Sequence, residues 1–260
     1  MADTTSKPSF ELGTVISRTF GVLRRRFLPF VGLALIFVGI PGFIDGLLEV
    51  ERAVQARSVT LGGSLTSLVI NIVEFVITII LQIMLVSASL ADLEGRKPKM
   101  VESFRTGLRR FWPVLAASML AAVAMVLGLL IFIVPGVLMM LAWVVITPVI
   151  VNEGRGPISA FERSAELTRG RRFGILALLV AWLIATVLVG GTVGAVLGVL
   201  VGAALGDSPP HLGLLADAIA TPVGSSLGMV LGATSVAALY HELRRTREGL
   251  GPDQTAAIFD

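Results

Sequence analysis

Cysteine is absent from this 260-residue sequence, so neither a disulfide framework nor thiolate chemistry is open to it. Histidine occurs only at His211 and His241, too few for a histidine-based metal site. Charge is scarce: Asp, Glu, Lys and Arg together make up 15% of the chain. There is no histidine–carboxylate metal spacing, no Gly-x-Ser-x-Gly and no phosphate-binding glycine loop. His241-Glu242, next to the single tyrosine Tyr240, reads as an interfacial pair rather than a catalytic one. The expectation is a non-enzymatic protein without cofactor or metal. A secretory signal is not evident either, because residues 1–10 are polar and the first apolar run lacks a small-residue cleavage site before its loop.

Apolar residues are what the chain has in abundance. They make up 55% of it, and the mean hydropathy is +0.88. A soluble domain cannot hide that much apolar surface. The residues are gathered into runs near the ~20 residues that cross a bilayer as a helix. Six spans are expected, at residues 27–48, 64–91, 111–134, 137–151, 173–205 and 214–240. Pro41-Gly42 predicts a kink or break in the first. Pro135-Gly136 predicts the turn between the third and fourth, and Pro148 predicts irregular geometry in the short fourth. The fifth is longer than a bilayer needs and must tilt, bend or project.

The net charge of +3 and pI near 9.9 do not point to nucleic acid, because the cations flank the apolar runs. Of the 21 Lys and Arg residues, all but Arg52 and Arg57 fall in the N-terminal segment, the second-to-third loop, the fourth-to-fifth loop or the tail. Counted by the positive-inside rule, this asymmetry puts both termini in the cytoplasm of a bacterial inner membrane.

One pattern recurs. Glu-Gly-x-x-Pro occurs at residues 94–98, 153–157 and 248–252, each time after an apolar run. The first two copies lead through a short amphipathic segment to Leu108-Arg109-Arg110-Phe111-Trp112 and Arg169-Gly170-Arg171-Arg172-Phe173. The N-terminus has a third version of that ending, Leu23-Arg24-Arg25-Arg26-Phe27. The expected fold is therefore an all-α integral membrane protein in one domain. Its six transmembrane helices form three hairpin repeats (9–91, 98–151 and 157–240, with a tail at 241–260), each preceded by a cytoplasmic interfacial amphipathic helix. Residues 9–26 and the segment opened by Pro157 show the apolar spacing such helices need, although the same faces would also serve packing.

Three sets of residues stand out. Asn71, Glu74, Thr78 and Gln82 form one polar stripe on the second span. A carboxylate within a span costs roughly 2.5–3.5 kcal/mol on insertion scales and marks either an ion or substrate path or a bonded interhelix contact. Gly190, Gly194, Gly198 and Gly202, with Gly224, Gly228 and Gly232, recur every four residues and suit close helix packing, probed against a sliding gate as the alternative. Arg24, Arg25, Arg26, Arg109, Arg110, Arg171 and Arg172 suit anionic lipid headgroups, and also suit the positive-inside rule alone.

The stretch 135–178 has the Pro-Gly turn, Asn152-Glu153-Gly154-Arg155-Gly156, Ser159-Ala160, Ser164-Ala165 and then Leu167-Thr168-Arg169-Gly170-Arg171-Arg172-Phe173. With the ending Ala238-Leu239-Tyr240-His241-Glu242-Leu243-Arg244-Arg245, it resembles a broad bacterial family of polytopic membrane proteins. That family includes the membrane domain of some glycerophosphodiester phosphodiesterases. The resemblance implies a stand-alone membrane domain without phosphodiesterase activity, since the chemistry in those members sits in a separate soluble domain. The leading functional expectation is a non-enzymatic inner-membrane protein that binds lipid, a membrane-protein partner or a second copy of itself at the cytoplasmic face. The alternative is a small transporter or channel with the Glu74 stripe lining the path.

Overall fold

A computed structural model describes residues 10–54, 61–205 and 212–248, and every regular element among them is helical. In chain order these are α1 (Leu12–Ala34), α2 (Ile40–Val54), α3 (Leu61–Leu93), α4 (Met100–Ile131), α5 (Ile133–Trp143), the short α6 (Ile146–Pro148), α7 (Pro157–Thr168), α8 (Arg172–Leu205) and α9 (Leu212–Glu248). Six helical stretches are long and apolar enough to cross a membrane: Leu12–Arg52, Leu68–Leu93, Met100–Ile131, Ile133–Glu153, Arg172–Leu200 and Gly213–Glu248. Their outward faces carry large apolar side chains in the open, among them Leu28, Leu130, Ile133 and Val199. Lipid, not water, is the solvent that makes such faces stable.

Two of the three proline signals act differently from expectation. Pro41 does not break the chain. A π-helical stretch, Leu35–Gly39, runs directly into α2, widening the turn ahead of the missing Pro41 N–H so that helix continues on both sides. The hairpin between α4 and α5 turns at Phe132 (φ −158°, ψ 146°) and not at Pro135-Gly136. This places Pro135 in the first turn of α5, where a missing N–H leaves no ladder bond broken. Near Pro148 the helix is irregular, with Val145 at φ −104°, ψ 18° and a second π-helical stretch at Val149–Glu153. The last helix does not stop at Tyr240. It continues to Glu248 because Glu242, Leu243 and Thr246 are buried and Arg244 pairs with Glu248 one turn on. α1 loses helical geometry at Arg26 (φ −124°, ψ 16°), which divides it into two rods.

The helices contribute to two compact units. Unit 1 comprises Met1–Arg25, Ile83–Leu179 and Ala233–Asp260. Within it α4 packs on α5 and α7, around a core that includes Leu85, Ile150, Leu167, Ile175, Leu239 and Tyr240. α7 turns Ala160, Ser164, Leu167 and Thr168 inward, and the hydroxyls of Ser164 and Thr168 both donate to the Ala142 carbonyl, left open by the break after α5. Unit 2 comprises Arg26–Gln82 and Val180–Gly232. Its core includes Phe30, Ala34, Ile79, Leu81 and Val230.

Candidate functional site

In unit 2, α2 approaches α9 through residues with little or no side chain. A Cβ added at Gly46 would lie 2.8 Å from Ala218 Cβ and 2.9 Å from its Cα. One added at Gly42 would lie 3.3 Å from Pro222 Cγ. Ser226 Oγ donates to the Ala34 carbonyl (3.2 Å), tying α9 to the end of α1 as well. Beside this contact lies a cavity of about 310 Å³. Asp45 and Glu49 of α2, Glu74 and Thr78 of α3, and Asp217 and Thr221 of α9 contribute its polar wall. Thr221 donates to Asp217 (3.0 Å), while Glu74 Oε1 is buried without a hydrogen-bond partner among the described residues. Four carboxylates around one volume repel each other, and a cation among them relieves that repulsion.

The polar stripe of α3 is thus divided. Glu74 and Thr78 face the cavity, whereas Asn71 and Gln82 are exposed. The cavity reaches only about one turn along α3, so residues a turn above and below fall outside it. Asp45 and Glu49 were not singled out in the sequence, whereas Asp217 and Thr221 read as part of the small, polar face of the sixth span. Their partner helix and facing sides are tertiary facts, and Asp45 and Glu49 read there as ordinary loop-side charge.

In unit 1 two clusters of polar groups bind each other. Glu153, at the end of the second π-helical stretch, accepts from Tyr240 Oη (2.9 Å), Arg155 Nε (2.7 Å) and Arg163 Nε (3.2 Å). Asn152 donates to the same tyrosine oxygen (3.3 Å). Arg163 of α7 also bonds Glu166 (3.1 Å) and Glu248 of α9. Burial disfavours the Arg163 charge, but hydrogen bonds to Glu166, Glu153 and Glu248 outweigh it and hold its pKa above the ordinary arginine value. A second cluster surrounds Glu242, whose side chain is fully buried. Arg18 Nη1 stands 2.7 Å from it and Arg245 donates to it at 3.1 Å. Arg18 also donates to His241 Nδ1 (2.8 Å), so that ring nitrogen is the acceptor and Nε2 carries the proton. Arg163 was not picked as a site residue, because a charge between other charges on a helix reads as solvated surface, while Glu153 was read as part of a turn and Glu242 as part of an interfacial pair with His241.

The two Glu-Gly-x-x-Pro turns within the described residues share a local geometry. Gly95 (φ 74°) and Gly154 (φ 69°) are both left-handed, and each preceding glutamate pairs with the arginine two residues on, Arg96 and Arg155. The third turn, 248–252, lies outside the described residues beyond Glu248, as do His211 and most of the tail. The arginine set is also divided. Arg25 bonds Asp92 (2.6 and 2.9 Å), Arg110 reaches the Gly154 carbonyl, and Arg171 bonds Thr246 and covers the Phe10 ring at 5.4 Å. Burial, with Arg247 nearby, lowers the pKa of Arg171 against the pull of Glu242. Arg26 is half-buried, Arg24 and Arg109 are exposed, and Arg172 is half-buried at the start of α8. Of the glycines, Gly224 lies against Gly190 (3.4 Å from the Gly190 Cα to an added Cβ), Gly228 against Thr186, Gly232 against Trp182 and Gly194 against Ala220. Nothing lies within 4 Å of a Cβ added at Gly198, and Gly202 falls within α8. Among the described residues no group of three or more His, Asp or Glu side chains could hold a metal ion.

Six long apolar helices with large apolar side chains on their outer faces define a multi-pass helical membrane protein. The chain belongs to the family described as a domain of unknown function (DUF7847), which matches residues 30–243. No curated protein and no solved structure matches it. The family match gives no link to the membrane domains of glycerophosphodiester phosphodiesterases.

Proposed function

We propose that this protein admits a small cationic solute into the acidic cavity of unit 2, as the binding step of a transporter or channel. The observation that carries the reading is Glu74. It lies in an apolar helix, has a buried oxygen without a partner among the described residues, and lines a 310 Å³ volume with Asp45, Glu49 and Asp217. A carboxylate that served only as interhelix glue would be bonded. The reading is non-enzymatic, and it includes the expected frame: a bacterial inner membrane, both termini cytoplasmic, and three hairpin repeats with interfacial helices. A relation to phosphodiesterase membrane domains rests on the sequence motifs alone.

The cysteine-free chain supplies the test. Single cysteines at Asn71, Glu74, Thr78 and Gln82 are exposed to a membrane-impermeant thiol reagent in intact cells and in inverted vesicles, with Lys97→Cys and His211→Cys as inner and outer controls. Labelling is expected at Glu74→Cys and Thr78→Cys and not at Gln82→Cys, which lies outside the cavity. In Thr78→Cys, sodium or guanidinium ions should slow labelling, and adding Glu74→Gln should abolish that protection. Protection of both cavity positions from both sides, with the controls labelled, would leave a packed interior and remove the proposal.

A second reading keeps its own observation. Arg24 and Arg109 are exposed at the starts of apolar runs, with Arg172 half-buried at a third. Such positions suit anionic headgroups or a membrane-protein partner at the cytoplasmic face.

A further inference from the structure

The start of α4 closes a second cavity in unit 1, of about 210 Å³. Its wall has the opposite sign. Arg96, Lys97 and Lys99 line it, with Glu102 as the one carboxylate. Arg96 is engaged by Glu94, and Lys99 reaches Glu102 only at 3.4 Å. Lys97 is exposed and has no ion pair among the described residues. The backbone adds to this charge. Lys99, the residue before α4, is extended and offers no side-chain cap, and the first bond of the helix is from Ser103 N to Lys99 O. The amides ahead of Ser103 therefore lack intrahelical acceptors and carry the positive end of a 32-residue helix.

An independent feature points to a ligand. Ser103 lines the cavity, is only 4% exposed, and its hydroxyl makes no hydrogen bond among the described residues. A helical serine or threonine that wants no outside partner bonds the carbonyl four residues back, as Thr106 does to Glu102 (2.9 Å). Ser103 does not. The hydroxyl of a nearly buried serine that lines a basic cavity at an uncapped helix start is a donor without a protein acceptor among the described residues.

We propose that this cavity binds a phosphate ester group. Ser103, the free amides of the first α4 turn and Lys97 would donate to its oxygens, with Arg96 and Lys99 setting the potential. The cavity is smaller than the ~300 Å³ at which drug-sized pockets begin, so it suits a headgroup or a small phosphate ester, not a nucleotide. This site is independent of the unit 2 cavity. It shares its chemistry with the exposed-arginine reading, but none of its residues.

The test uses the full chain purified in neutral detergent, with binding read from tryptophan fluorescence. The probes are dihexanoyl phosphatidate, glycerol 3-phosphate and inorganic phosphate. Saturable binding of the phosphatidate alone identifies a lipid headgroup, while comparable binding of glycerol 3-phosphate identifies a soluble ester. In either case Ser103→Ala and Lys97→Gln should each weaken binding roughly tenfold, the worth of one charge-assisted contact. Arg109→Gln, outside the cavity, should leave it unchanged. Lys97 is exposed, so its variant reads the site even where Ser103→Ala disturbs packing. The proposal falls where no probe binds saturably, where Ser103→Ala folds and binds as the parent does, or where Arg109→Gln weakens binding as much as the cavity variants.

Discussion

Arg163 is 13% exposed at its side chain and touches three carboxylates, from the end of the second π-helical stretch, from its own helix and from α9. An arginine so placed holds its neighbours by fixed, forked geometry, which lysine cannot reproduce. Arg163→Met should lower stability by about 3 kcal/mol, because it strands part of the Glu153 charge in a desolvated site. Tyr240→Phe removes one donor from the same carboxylate and should cost about 1 kcal/mol. Thermal unfolding in detergent ranks the two, with Arg155→Gln, at a more exposed position, as the mild comparison. Equal unfolding temperatures for the parent and Arg163→Met would show that the cluster carries no stability. At this scale the sequence was only partly legible. Glu153 stood out through its turn and Glu74 through its setting, but their neighbours could not be read, since Arg163 lies ten residues from Glu153 and Tyr240 lies far along the chain.

Among the elements, the close approach of α2 to α9 matters most to the cavity, and it depends on the missing side chain at Gly46. Gly46→Leu places atoms where Ala218 already stands, and should cost about 1–3 kcal/mol as overpacking. Gly32→Leu, where nothing lies within 4 Å of an added Cβ, is the control and should be close to neutral. Because Asp45 and Asp217 line the same volume, Gly46→Leu should also change labelling at Thr78→Cys, whereas Gly32→Leu should not. Unchanged labelling with lowered stability would separate the packing role from the cavity. Gly46 illustrates the limit of spacing arguments. Gly39, Gly42 and Gly46 lack the regular four-residue period that made α8 and α9 conspicuous, yet among the described residues the tightest glycine contact of unit 2 is here. Proline was legible as punctuation but not as geometry. The helix ladder can shift by one residue at Pro41 or turn early at Phe132, and local sequence does not choose between these.

For the molecule as a whole, the distribution of cations bears on membrane surface binding. Arg24, Arg109 and Arg172 make no hydrogen bond or ion pair among the described residues, whereas Arg25 and Arg171 are held internally. Replacing Arg24, Arg109 and Arg172 together by Gln should reduce retention of anionic lipid after purification while leaving unfolding temperature near that of the parent. Each such charge near a surface is worth about 1 kcal/mol. Arg25→Gln should do the reverse, lowering stability with little effect on lipid, and retention unchanged in the triple variant would end the exposed-arginine reading.

What the sequence determined by itself is the solvent and the class: six apolar runs long enough to cross a bilayer as helices, with most charges at their ends, require helices in lipid, where every backbone polar group must be satisfied internally. It also marked Glu74 as costly and placed each Glu-Gly-x-x-Pro motif after an apolar run. The tertiary structure decided which polar groups meet. Glu74 and Thr78 line a cavity and Asn71 and Gln82 do not, Arg163 sits among three carboxylates, and Ser103 lines a basic cavity. Periodicity along one helix assigns a residue to a side of that helix, but burial, pairing and enclosed space depend on which other helix stands opposite, and that is a property of the packed chain.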